Sequence, residues 1–243
     1  MLKKWGRSME KREAQKMQWW ARSAGLALLA TIILGMLNAF FVADGIDINL
    51  SANVVATAEN MMEAGDRLRA KAYISAALFA IGLLVPLGFF LLLRETGLLV
   101  AAWSLAISLS AALLSLLGAV FALNAAEIAT DPAYQQLANP AQRLLMSGLQ
   151  ATADYTSFHL SLILSSTGMA GFFALFYRSR LMPKIIAGWG LFASLFVAIT
   201  IVARDFIAIL GHPSITAAFM LSNLVALLAT GIYLSVKGAA QDN

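Results

Sequence analysis

Cysteine is absent from the 243 residues, and that removes disulfide frameworks, thiolate metal sites, iron–sulfur ligation and cysteine nucleophiles together. Charge is scarce as well. Only 12% of residues are Asp, Glu, Lys or Arg, while 60% are hydrophobic; a soluble domain averages about 25% charged and roughly 45–50% apolar. A water-facing surface needs more charge than this, so lipid must cover much of the chain. Histidine occurs only at His159 and His212. No HExxH pair, nucleophile elbow or phosphate loop is present, and no paired carboxylates lie deep in an apolar run. Haem ligation would need both histidines to converge. No cofactor and no metal are therefore expected, and the length suits one compact bundle without a second globular domain.

What is present is a series of long apolar runs. A helix needs about 20 apolar residues to cross the ~30 Å hydrocarbon core, and six stretches qualify: 23–43, 72–93, 98–123, 155–177, 185–210 and 215–236. The expected fold is all-α: a polytopic membrane protein, a six-transmembrane-helix bundle with short helices on its outer face. Its expected divisions are a basic cytoplasmic amphipathic lead over 1–22, the transmembrane domain over 23–238 and a cytoplasmic tail over 239–243. The polar lead is long and no small-x-small site closes the first apolar run, so that run is expected to stay as an anchor.

Lys and Arg near the span ends set the orientation. With the N-terminus inside, twelve of the 17 basic residues (Lys3, Lys4, Arg7, Lys11, Arg12, Lys16, Arg22, Arg94, Arg178, Arg180, Lys184 and Lys237) fall on the cytoplasmic side with four acidic ones, a balance of +8. The outer side holds five basic residues, Lys71 among them, against nine acidic ones, a balance of −4. Both termini are thus expected in the cytoplasm, in the inner membrane of a bacterium. All five tryptophans fall at or near the cytoplasmic interface in this topology, where an indole keeps its N–H wet. The basic excess is a matter of topology, so no nucleic acid is expected. The expected partners are the lipid bilayer, anionic inner-leaflet lipids at the basic N-terminus, and a membrane protein partner or a second copy of the chain.

The two longer connections lie outside. Over 51–71, apolar Val54, Val55, Ala58, Met61, Met62, Gly65 and Leu68 recur on a helical period, which reads as an amphipathic helix running into the second span. Asp131-Pro132 and Asn139-Pro140 each place a capping side chain before a proline, the arrangement favoured at helix starts. Pro86 should kink the second span. Ser104, Ser108 and Ala112, and Ser157, Ser161 and Ser165, are small residues at every fourth position and read as packing faces. Phe89-Phe90…Arg94…Trp103 resembles Phe172-Phe173…Arg178…Trp189, either a parallel repeat or the common furniture of inner helix ends.

Polar residues within spans are the candidates for function: Asn38, Asp154, His159, Arg204, Asp205 and Asn223. At ~1.5 Å per residue from the cytoplasmic ends, Asn38 and Asn223 stand roughly 20 Å up and His159 and Arg204 nearer 27 Å. If their helices face one another, they line a ligand pocket in the outer half. Each also has a plain structural reading, as a wet helix end or interhelical glue. Arg204 is expected to pair with Asp154 or another carboxylate from a different helix, since adjacent residues on a helix do not face each other.

At Ala21-Arg-Ser-Ala-Gly25, Leu175-Phe-Tyr-Arg-Ser-Arg-Leu-Met-Pro-Lys184, Ala187-Gly-Trp-Gly190 and Tyr233-Leu-Ser-Val-Lys-Gly238, the chain resembles the bacterial membrane family catalogued as domain of unknown function 4386. The resemblance starts near Ala21 and covers nearly all the rest. It implies a multi-pass membrane fold and no particular reaction. The family's last span often carries a glutamate; here Asn223 and Thr230 are the strongly polar groups, so no proton-linked role is carried over.

Three functions follow in order. The first is a non-enzymatic accessory or interaction subunit of a membrane assembly. The second is a binding protein or small transporter for a lipophilic or amphipathic ligand in the outer-half pocket. The third is a membrane enzyme using Asp154 and His159 as acid and base.

Overall fold

Hydropathy this high leaves backbone groups no water to bond, so helices are the economical solution, and every described element is helical. The computed structural model describes residues 2–48 and 53–240, with side chains described from residue 12 onward. Helix α1 spans Leu2–Leu37 and passes into a π-helical turn, Asn38–Val42. Then come α2 (Val54–Glu63), α3 (Gly65–Gly82), α4 (Leu84–Thr130), α5 (Pro132–Leu137), α6 (Pro140–Ser179), α7 (Lys184–Arg204), a 3-10 turn (Ala208–Gly211) and α8 (Pro213–Lys237). The basic lead is helical and continuous with the first apolar run; the side chains of Trp5 and Met9 lie outside the described ones, as do residues 51 and 52 of the connection that follows that run.

Five stretches are long and apolar enough to cross a membrane, where six were expected. The difference lies in residues 65–130, a single apolar helical stretch of 66 residues that contains both the second and third expected spans. Its ends meet. Arg69 donates to Glu127 at 3.2 Å and to the Thr130 hydroxyl at 2.9 Å, so the chain between them reverses. Both pairs centre near residue 98, next to Gly97, whose backbone is non-helical (φ −179°, ψ 86°). A second break sits at Leu83, because Pro86 offers no N–H to the Gly82 carbonyl and its ring crowds that oxygen.

The local signals at the helix starts behave as their chemistry requires. Asp131 caps α5 by accepting from the Ala133 amide at 2.7 Å. Asn139 and Gln142 cap α6 reciprocally, each side chain accepting from the other's amide at 2.9 and 3.0 Å, a capping box in its usual spacing. His212 caps α8 through Nδ1, ahead of Pro213. Asn53 caps α2.

The chain divides into two compact units. The first comprises residues 1–30, 81–109 and 163–243. Its core is aromatic: Phe89, Phe172, Phe173 and Phe176 are fully buried, and Phe89 meets Phe172 and Phe176 edge to face at 5.6 and 5.0 Å. The two similar Phe-Phe segments are thus packing partners. Ser104 and Ser108 of α4 lie buried against Gly171 and Gly168 of α6, which fits their reading as a small-residue face. Gly25 of α1 lets α8 approach closely: a Cβ there would stand 2.6 Å from the Ser235 backbone nitrogen and 2.9 Å from the Gly231 carbonyl. Gly238 adopts φ +74°, a conformation side chains resist, and turns the tail so that Gln18 donates to the Ala239 carbonyl at 2.6 Å and Ala240 to that of Leu181 at 2.8 Å. The segments that carry the family resemblance are therefore joints of this unit. Gly25→Val is expected to lower stability by about 1–3 kcal/mol through overpacking. The reading is the unfolding midpoint of the purified protein, with Gly35→Val, where nothing lies within 4 Å, as the silent control.

The second unit comprises residues 31–80 and 110–162. Its core gathers Ile46, Met61, Leu68, Ala72, Ala119, Ala122, Ala125, Ala126 and Ala151. The run of alanines on α4 leaves little side-chain bulk, so the helices around it pack backbone to backbone. The helical period expected over 51–71 is present, broken once at Ala64 between α2 and α3. Its buried members are Ala58, Met61, Gly65 and Leu68, and they are followed on the same face by Lys71 and Ala72.

Candidate functional site

Lys71 is the residue around which the second unit's polar chemistry is organised. Its Nζ lies 3.0 Å from Asp47 Oδ2 and 2.7 Å from Asp154 Oδ2. The side chains are 8%, 17% and 16% exposed, respectively, so all three are largely withdrawn from solvent. Three separate elements supply them: the turn after the π-helix, α3 and α6.

Each element is held for a reason visible in its bonds. The turn over 43–48 is braced by Arg67, which donates to the Val42 and Asp44 carbonyls, and by Asn60, which donates to the Gly45 carbonyl at 2.9 Å. Gly45 sits at φ +73°, and Ile46 plugs the turn into the core at 2% exposure. Arg67 and Arg69 lie four and two residues before Lys71 and face out, to carbonyls and to Asp66 and Glu127; Lys71 faces in. On the other side, the second carboxylate oxygen of Asp154 rests against Gly118 of α4, leaving no room for a Cβ there.

Two contacts of 3.0 and 2.7 Å to one nitrogen put the carboxylate oxygens at most 5.7 Å apart. At an effective dielectric of ~20, like charges at that separation repel by roughly 3 kcal/mol, while each contact with the ammonium attracts by roughly 5–6 kcal/mol. The lysine therefore holds two carboxylates together that would otherwise separate. Gly118→Ala is expected to push Asp154 off Lys71 and lower stability by about 1–3 kcal/mol; in an Asp154→Ala background most of that loss should vanish, which a double-mutant cycle on unfolding free energies measures.

Of the six residues singled out in the sequence, Asn38, Asp154 and His159 belong to this unit, and Arg204, Asp205 and Asn223 to the other. Asp154 enters the ion cluster, with Lys71 on its Oδ2. Asn38 begins the π-helical turn, and its Oδ1 is buried without a hydrogen-bond partner among the described residues. His159 shares Nδ1 with the Tyr155 carbonyl at 2.9 Å and lies against the Tyr155 ring; because a carbonyl only accepts, Nδ1 carries the proton. Five residues beyond Asp154, it points about 140° around the helix, so the two do not form an acid–base pair on one face. Arg204 ends α7, exposed Asp205 follows it, and half-buried Asn223 lies on α8 beside Ser222, whose carbonyl accepts from the Trp189 indole at 3.2 Å. Among the described residues, no group of three or more His, Cys, Asp or Glu is placed to hold a metal ion.

Lys71 and Asp47 were not among the candidates. Lys71 had a signal: Ala58, Met61, Gly65 and Leu68 set a period whose next members are 71 and 72, so a lysine stood on the apolar face. Asp47 had none, because its position depends on the fold of a turn.

A family model described as Domain of unknown function (DUF4386) matches residues 23–238. No curated protein and no solved structure matches the chain.

Proposed function

Because the chain belongs to the domain of unknown function 4386 family, a membership that names no reaction, we propose its function from the ion cluster: a small transporter or binding protein for a lipophilic or amphipathic molecule, working in the outer half of the bilayer. The carrying observation is Lys71 buried between Asp47 and Asp154. Ionised groups inside a membrane bundle are expensive and concentrate on substrate and ion pathways. A purely structural need would be met as well by apolar residues of similar volume, which often stabilise as much or more. Asn38, with a buried acceptor, and His159 are the further polar groups we assign to this site.

The topology we adopt has six crossings, both termini in the cytoplasm, in the inner membrane of a bacterium. At ~1.5 Å per residue a 66-residue helix would be roughly 99 Å long, three times the hydrocarbon thickness, and its contacting ends argue for two crossings joined at Gly97. The charge balance of the connections supports the orientation.

The test is native mass spectrometry of the protein purified from its own membranes in mild detergent. The expected result is a retained small lipophilic molecule that is lost from Lys71→Met/Asp47→Asn/Asp154→Asn, a variant without the ionic cluster. A wild-type protein carrying no small molecule, or unchanged occupancy in that variant, overturns the reading. A second reading, an accessory subunit of a membrane assembly, is favoured by Leu137 on α5 and Val55 on α2, 80% and 62% exposed; a protein partner that co-purifies reproducibly would select it.

A further inference from the structure

We propose that Arg143 and Ser147 form an oxyanion-binding site near the outer end of α6, which takes the phosphate or carboxylate headgroup of an amphipathic molecule. Ser147 is fully buried, and its Oγ has no hydrogen-bond partner among the described residues; the same holds for Arg143 Nε, also buried. Hydroxyls further along this helix bond back to their own backbone: Thr152 donates to Gly148, Thr156 to Thr152 and Ser157 to Asp154, at 2.9–3.0 Å. Ser147 does not.

The two residues are one turn apart and share a face. Both present donors, and a guanidinium has no acceptor at all, so the complementary ligand is an oxyanion. The other basic side chains of this unit are engaged: Arg67 by carbonyls, Arg69 by Asp66 and Glu127, Lys71 by Asp47 and Asp154. Arg143 has no such partner among the described residues, and it stands in the first turn of α6, where the helix dipole already favours negative charge.

The amphipathic class follows from what surrounds the pair. Leu145 and Leu149 on the same stretch of α6 are 66% and 59% exposed and supply apolar surface for a tail. A small hydrophilic anion would also have to approach an outer face that carries nine acidic residues against five basic ones in the topology adopted above. One face of α6 carries half-buried Arg143, buried Ser147 and Ala151, and half-buried Asp154. Eleven residues turn the helix to within about 20° of its starting direction and advance it ~16 Å, which sets the anion site and the Lys71 cluster on one line. The inference rests on the solute-binding reading and identifies the solute's polar end.

The test uses the full chain in nanodiscs of zwitterionic phosphatidylcholine, titrated calorimetrically with decyl phosphate, inorganic phosphate and decyltrimethylammonium. Decyl phosphate is expected to bind saturably. Arg143→Gln should weaken it about tenfold or more, Ser147→Ala by less, and Arg143→Lys should restore part of the loss. Absence of saturable binding, unchanged affinity in Arg143→Gln, equal binding of the alkylammonium, or inorganic phosphate binding as tightly as decyl phosphate each overturns the proposal. All three single variants keep a residue suited to helix, and the comparison of three ligands on the wild type stands without them. A co-purified solute that disappears in the Lys71 triple variant but persists in Arg143→Gln would refute this inference alone and leave the solute-binding reading in place.

Discussion

Replacing Lys71 by methionine should lower the unfolding free energy by about 3–5 kcal/mol, the loss expected when one partner of a buried ion pair is removed and its counter-charges stay behind. Methionine preserves most of the volume, so the effect is electrostatic. Asp47 and Asp154 would face each other across at most 5.7 Å without the ammonium that both contact. The check is the unfolding midpoint of purified protein in a detergent titration, and it has an internal control. Adding Asp47→Asn and Asp154→Asn to Lys71→Met removes the charges as well, and most of the lost stability should return. If the triple variant is no more stable than Lys71→Met, the cluster is not held as an electrostatic unit and the interpretation of the site fails.

The second large effect is expected in the other unit. Phe89→Ala should cost about 3–5 kcal/mol, the range for deleting a buried aromatic. The reason differs from the one that applies in water. Lipid tails are as apolar as the core, so burying Phe89 gains little by transfer, and what its ring contributes is packing. It fits edge-on against Phe172 and Phe176 at a place lipid cannot enter, and truncation leaves a hole lined by their rings. Phe40 and Phe41, 66% and 76% exposed, provide the contrast. Alanine at either should shift stability by no more than about 0.5 kcal/mol. Equal losses at Phe89 and Phe41 would contradict the aromatic core.

Much of the fold was legible residue by residue. Asp131-Pro132 and Asn139-Pro140 mark helix starts because a cap and a fixed φ act within three positions, and both do so. Pro86 breaks the helix three residues earlier, as its missing N–H requires. The serine faces read as packing at Ser104 and Ser108 are packed. The candidate site was legible only in part. Asp154 stood out because a carboxylate at the edge of an apolar run is costly. Lys71 was set aside with the outer loop, since a lysine beside a span end is normally wet; the apolar period that runs through it carried the contrary information. Ser147 carried none, because a serine in a helix ordinarily satisfies itself, and only the bonds of its neighbours show that it does not.

The sequence by itself determined which segments are helical and apolar, where they begin and turn, and that lipid rather than water surrounds them. Those properties follow from hydropathy, helix caps and proline, which act over a few residues. The tertiary structure alone decided that Lys71 meets Asp154, 83 positions away, and Asp47 on a folded turn, with Gly118 making the space. An ion pair has no sequence period, and in a bundle the partner of a charge is whichever group the close approach of backbones brings within 3 Å.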